Sequence, residues 1–172
     1  MMIFLSGVHG VGKSYFCKQI KEEIGIQTYT ASELISTEKN EVFSSDKLNK
    51  DIENNQYYLL RAVRRMNSDG NKYILDGHFC LLNGKGQITR ISADTFIGLN
   101  PSLIILLTEE PNIIAGRRKN RDGAECDICL IDRFQREEIS YAEEISKRLS
   151  VELIISKGKG DLKSIIKRIG SL

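Results

Sequence analysis

Short, almost wholly apolar runs punctuate this chain, and the segments between them carry apolar residues at helical spacing. The apolar runs are Met2–Ser6, Tyr73–Asp76, Leu103–Leu107 and Val151–Ile155, and the more polar Gln27–Thr30 is a fifth strand candidate by its β-branched and aromatic residues. Near-continuous apolarity, unlike alternation, suits strands buried on both faces of a parallel sheet. After the first run Cys17, Ile20 and Ile24 recur at i, i+3 and i+7, and Gly25 ends the pattern, which predicts a helix over Lys13–Ile24. Thr30-Ala31-Ser32-Glu33 has capping-box spacing for a short helix through Ile35, and Leu48, Ile52, Leu59, Leu60 and Val63 predict a longer one over Asp46–Met66. Ser92–Leu99, Pro111–Lys119, Arg133–Leu149 and Asp161–Ile169 complete the helical set. Strand followed by helix, repeated, predicts a three-layer α/β fold around a five-stranded parallel sheet with right-handed crossovers. The repeat is interrupted over Phe79–Ile91, which reads as two short strands joined at Asn83-Gly84, decorating one edge.

Composition narrows what such a fold does. The chain has 172 residues, 41% hydrophobic and 28% charged, as expected for one domain with one core. Its longest apolar runs fall far short of the roughly 20 residues that span a bilayer. Met1–Leu5 lacks a basic n-region and a small-residue cleavage site, so neither a membrane span nor a leader is expected. The 25 Lys and Arg against 23 Asp and Glu leave a net charge of +2, which argues against wholesale nucleic-acid binding. Cys17, Cys80, Cys126 and Cys129 are dispersed, which favours free thiols and a cytoplasmic location.

The chemistry concentrates in Gly7-Val8-His9-Gly10-Val11-Gly12-Lys13-Ser14, which fits G-x-x-x-x-G-K-[ST] between a predicted strand and a predicted helix. The oxygens of a triphosphate need several backbone N–H groups converging on them, and side chains obstruct that approach. Lys13 then supplies a cation to the β- and γ-phosphates and Ser14 a hydroxyl oxygen to Mg²⁺. Asp76 ends a buried strand, the place where sheet edges meet ligands in open α/β folds, and is the candidate second Mg²⁺ ligand. Its plainer role, capping the Asp76-Gly77 turn, stays open. Arg117, Arg118 and Arg121 close one predicted helix and Arg133 and Arg136 open the next, flanking a loop of about ten residues. Planar guanidinium groups suit the charge that phosphoryl transfer spreads over the migrating group, so this segment, about 117–136, reads as a lid.

These residues together resemble the nucleoside monophosphate kinases, the adenylate-kinase-like branch of the P-loop proteins. The resemblance covers most of the chain and rests on the glycine loop, the helical segment of about 31–70, the Asp76-Gly77 pair and the R-x-x-x-R spacing of Arg117 and Arg121. It implies ATP and Mg²⁺ as cofactors, with Gly7–Ser14, Tyr15 and Arg117 holding the donor nucleotide. Arg117 would stack on adenine, Arg121 would reach the phosphates, and Arg133 and Arg136 would contact the transferring group. The adenine-contacting loop corresponds to 156–160. Ser32, Arg61, Arg64 and His78 are the implied acceptor-binding residues, and the implied partner is a small-molecule phosphoryl acceptor, a nucleotide first. The chain departs from the common adenylate kinase turn Asp-Gly-Phe-Pro-Arg, reading Asp76-Gly77-His78-Phe79-Cys80 and so lacking an arginine there. Cys126 and Cys129 offer half of the four ligands of a zinc-bound lid, and read as incidental.

Overall fold

The computed structural model describes residues 1–42, 52–68, 70–123, 125–157 and 159–172. Five parallel strands, β1 (Met2–Ser6), β2 (Gln27–Thr30), β3 (Tyr73–Asp76), β6 (Leu103–Leu107) and β7 (Leu153–Ser156), form one sheet in the order β2-β3-β1-β6-β7. β1 and β6 are buried at every residue, as their unbroken apolarity requires. Edge strand β2 alternates exposed and half-buried positions.

Side chains alternate across the sheet. Ile3, Leu5, Leu103 and Ile105 face α1 (Lys13–Ile24), α5 (Pro111–Asp122) and α7 (Leu162–Gly170). Met2, Phe4, Tyr73, Leu75, Ile104 and Leu106 face α3 (Ile52–Ser68), α4 (Ala93–Leu99) and α6 (Ile128–Leu149). The hairpin strands β4 (Cys80–Leu82) and β5 (Ile88–Arg90) pair antiparallel beside this second layer.

Several boundaries differ from the sequence pattern for local reasons. Helix α2 (Ala31–Val42) continues well past Ile35, and the Asp46–Asp51 part of the expected long helix lies outside the described residues. Helix α5 runs on to Asp122, where left-handed Gly123 donates its N–H to the Lys119 carbonyl. Helix α6 begins five residues before Arg133, because the Asp127 side chain accepts the Leu130 N–H as an N-cap. It ends at Ser150 in a left-handed conformation, which delays β7 to Leu153. The hairpin turn is not a two-residue Asn-Gly turn: Asn83 Oδ1 accepts from the N–H groups of Lys85 and Gln87, and Gly86, at φ +73°, takes the left-handed position.

Adjacent strands β1 and β3 continue to opposite faces of the sheet, β1 into α1 and β3 into the hairpin and α4. A crevice opens beyond their carboxyl ends at such a point.

Candidate functional site

The loop from Gly7 to Ser14 fills one wall of that crevice. Gly7, Gly10 and Gly12 hold φ at +143°, +87° and +118°. A Cβ on Gly7 would lie 2.6 Å from the Leu107 carbonyl oxygen, and one on Gly10 would lie 2.7 Å from Arg118 Cγ. The loop therefore packs against β6 and α5 more closely than a side chain permits. Val8 and Val11 are buried, and Val11 N–H bonds back to the Val8 carbonyl. Gly12 is the N-cap of α1 and no side chain caps the helix, so its leading N–H groups and the positive end of its dipole are presented to an anion.

Lys13 folds back over the loop and is only 9% exposed. Its Nζ donates to the Gly7 carbonyl at 2.6 Å, with Asp76 Oδ1 at 3.7 Å and His78 Nε2 at 3.5 Å. Burial pulls the Lys13 ammonium below its ordinary range and pushes the Asp76 carboxyl above its own, and each charge opposes the other's shift. His78 is driven down to about 2 by burial and then by the charge on Lys13, so its ring is neutral. Lys13 has only donors, so Nε2 accepts and the ring proton sits on Nδ1. That buried nitrogen has no hydrogen-bond partner and lies 4.0 Å from Glu138 Oε1. The His9 ring packs against His78 with centroids 4.5 Å apart.

Glu138 escaped the sequence reading. It is fully buried on α6, accepts the Ser6 hydroxyl on Oε2, and accepts the N–H groups of Phe79 and Cys80 on Oε1 at 2.9 and 2.7 Å. Burial raises its pKa against those bonds. One carboxylate thus ties the end of β1, just before the glycine loop, to the turn that carries His78. The available signal was its place seven residues after Ile131 and seven before Ile145, on the apolar stripe of α6.

A cavity of about 820 Å³ opens from this cluster between the glycine loop, α2, α3, the hairpin and α4. Of the residues predicted from sequence, Val8, His9, Gly10, Gly12, Lys13, Ser14, Ser32, Asp76, His78, Arg117 and Arg121 line it. A second cavity of about 290 Å³ lies on the other side of Gly12, bounded by Val11, Tyr15, Arg117, Ser156 and Leu162. Arg117 stands between the two cavities. It donates to the Val11 carbonyl and to Glu109 Oε2, each at 2.8 Å, and the amide of Gln135 on α6 bonds both the N–H and the carbonyl of Glu109. Within the 156–160 loop, Lys157 N–H bonds Asp161 Oδ2, and Gly158 lies outside the described residues.

Four predicted arginines are not brought to either cavity. Arg61 Nε lies 2.7 Å from Glu38 Oε1 and Arg65 pairs with the second oxygen, because Glu38 of α2 is fully buried and an enclosed carboxylate requires nearby cations. Arg64 is exposed on α3 outside the cavity. The early start of α6 puts Arg133 and Arg136 on exposed helix, where Arg136 pairs with Asp132 one turn back. The connection between α5 and α6 shrinks accordingly to 123–127.

A glycine loop joining the first strand to the first helix, under an all-parallel sheet ordered β2-β3-β1-β6-β7, defines the P-loop nucleotide-binding class. Within that class the chain belongs to the AAA domain family, whose model matches residues 6–135. No curated protein matches it. Among solved structures it is similar to an uncharacterized protein from Eubacterium ventriosum ATCC 27560, at 13% identity and TM-score 0.56 over 100% of this chain and 99% of that one. It is also similar to a gluconokinase from Sinorhizobium meliloti 1021, at 16% identity and TM-score 0.54 over 98% of this chain and 88% of that one. A sugar kinase from Janibacter sp. HTCC2649 aligns at 14% identity and TM-score 0.54 over 99% and 92%. At these identities the likeness is one of fold, a three-layer α/β arrangement shared with those structures. Among the described residues no helix is long and apolar enough to cross a membrane.

Proposed function

We propose that this protein is an ATP-dependent phosphotransferase that moves the γ-phosphoryl group of ATP to a small acceptor of nucleoside or nucleotide kind. The observation that carries the reading is the meeting of Lys13, Asp76 and His78 where the glycine loop opens into the 820 Å³ cavity. A triphosphate laid along the loop would take Lys13 from its Gly7 and Asp76 contacts. The adenosine end would lie toward the smaller cavity, between Tyr15, Arg117 and Leu162. The transferable phosphate would face the large cavity, with Arg121 at its rim.

The donor set suits Mg²⁺, because the Ser14 hydroxyl and the Asp76 carboxylate are hard oxygen ligands lining the same cavity beside the uncapped helix start. When bound, Mg²⁺ would neutralise charge on the phosphates. Lys13 adds a positioned cation, and the loose transition state of phosphoryl transfer asks mainly for such positioning. Helices α2 and α3, within the segment of about 31–70, form the acceptor side. The segment of about 117–136 supplies the lid side, where Arg117 and Arg121, which line the cavity, would reach the phosphates. The dispersed cysteines of the sequence suit work in a reducing cytoplasm.

The reading is tested by ADP release from ATP and Mg²⁺ over a panel of nucleosides, mononucleotides and other small metabolites. A phosphotransferase releases ADP many-fold faster with one acceptor class, and the phosphorylated acceptor accumulates in step. Slow hydrolysis indifferent to every acceptor would identify an ATP-gated regulatory module instead.

A further inference from the structure

We infer that the acceptor is an uncharged nucleoside, phosphorylated on a sugar hydroxyl; this rests on the phosphotransferase reading and deepens it. The evidence is the unequal chemistry of the large cavity. Its loop end gathers Lys13, Asp76 and His78, whereas its far wall is built from Phe4, Leu59, Leu81, Ile91, Phe96 and Leu99. A mononucleotide acceptor carries a dianionic phosphate of its own, which needs guanidinium or several N–H partners beyond those committed to the donor. Among the described residues of α2 and α3 the lining holds one cation, Lys39, while Arg117 and Arg121 of α5 line the cavity on the donor side. Its Nζ already donates to Asn55 Oδ1 at 2.6 Å and sits 5.6 Å from the centre of the Tyr58 ring. Arg61 and Arg65 are committed to buried Glu38. A second phosphate against α2 and α3 would therefore find neutral amides and hydroxyls but no guanidinium among the described lining residues, whereas an uncharged ligand needs none.

Two further observations fit a nucleobase. The Phe4 and Phe96 rings, almost wholly buried, meet edge to face with centroids 5.5 Å apart and back the wall with rigid aromatic packing. Gln56 lines the cavity, and its Oε1 is buried with no hydrogen-bond partner. An unsatisfied buried amide oxygen is costly unless a ligand N–H completes it, and the edge of a nucleobase carries such groups. Ser32, Ser36 and Thr95 supply neutral hydroxyls suited to a ribose. In the reaction the sugar hydroxyl oxygen forms a bond to the γ-phosphorus of ATP as the bond from that phosphorus to the β,γ-bridging oxygen breaks. ADP leaves with the electron pair, and the hydroxyl proton passes to water.

The test measures ADP release with ATP, Mg²⁺ and each common nucleoside, against the matching 5′-monophosphates and gluconate. Calorimetry follows binding of the same compounds to the full chain. At least one nucleoside should raise ADP release by roughly tenfold or more while its monophosphate raises it less than about twofold, in line with discrimination by one desolvated phosphate. Replacing Gln56 (Gln56→Ala) should raise the nucleoside KM by about tenfold, more than it raises the ATP KM. Faster release with a monophosphate or with gluconate than with every nucleoside overturns the inference. If no compound stimulates release, binding decides. Nucleosides that bind without turnover keep the ligand assignment and defeat the phosphotransferase reading, and absence of nucleoside binding defeats the assignment itself.

Discussion

Ser6, the last residue of β1, gives its hydroxyl proton to Glu138 across 132 residues of sequence. That carboxylate also holds the N–H groups of Phe79 and Cys80, so it ties the strand that launches the glycine loop to the turn that carries His78. Glu138→Ala strands two buried amide donors and is expected to cost about 3–5 kcal/mol, while Glu138→Gln keeps an acceptor oxygen and should cost about 1 kcal/mol. Urea unfolding of both variants measures this, and equal losses would show that the bonds to the turn carry little.

Lys13→Ala removes the cation over the glycine loop. Turnover is expected to fall by at least roughly 100-fold, as for the loss of one preorganised charge contact. Circular dichroism should show a retained fold, since the loop is also held by the burial of Val8 and Val11. Near-normal turnover in a folded variant would remove Lys13 from the chemistry.

Arg61 separates a structural from a substrate-binding role. Among the described residues Glu38 keeps one paired cation when either Arg61 or Arg65 is lost, and none when both are. Arg61→Ala alone should cost about 1 kcal/mol, and the double Arg61→Ala, Arg65→Ala variant about 3–5 kcal/mol, because an unpaired buried carboxylate remains. Acceptor KM for the single variant should stay within about twofold of the parent. A rise of tenfold or more without loss of stability would return Arg61 to the acceptor site.

His78 makes stability pH-dependent in a defined direction. Its folded pKa is depressed from 6.5 to about 2, so the unfolded chain takes up a proton below pH 6.5 that the native chain refuses. The stability it contributes is present above pH 6.5 and is lost as pH falls toward about 2. Between pH 7.5 and 5.5 the parent should lose about 1.4 kcal/mol relative to His78→Asn, as follows from about 1.36 kcal/mol per unit. Parallel stability curves for the two proteins over this range would show that the ring titrates in the folded state.

Local chemistry made much of this protein readable in its sequence. The unbroken apolar runs of β1 and β6 mark strands buried on both faces, and the same runs coincide with the observed Met2–Ser6 and Leu103–Leu107. The glycine loop is legible because Gly7, Gly10 and Gly12 each answer a backbone demand that no other residue meets. Periodicity identifies the face of a helix, but it does not say which charge on that face is drawn inside. Glu38 and Glu138 sit among ordinary charged neighbours, in Ser36-Thr37-Glu38-Lys39 and Arg136-Glu137-Glu138, and nothing local distinguishes them from solvated carboxylates. Only the tertiary structure encloses them, one beside Arg61 and Arg65 of α3, the other beside Ser6 and the turn at Phe79. The same long-range packing withdraws Arg61 from the acceptor cavity. The sequence by itself determined the strands, the anion-binding loop and the fold class, because those depend on residues close in the chain. Tertiary structure decided which charges reach the site and which hold it together, because desolvation acts on whatever the packing encloses, however far apart in sequence.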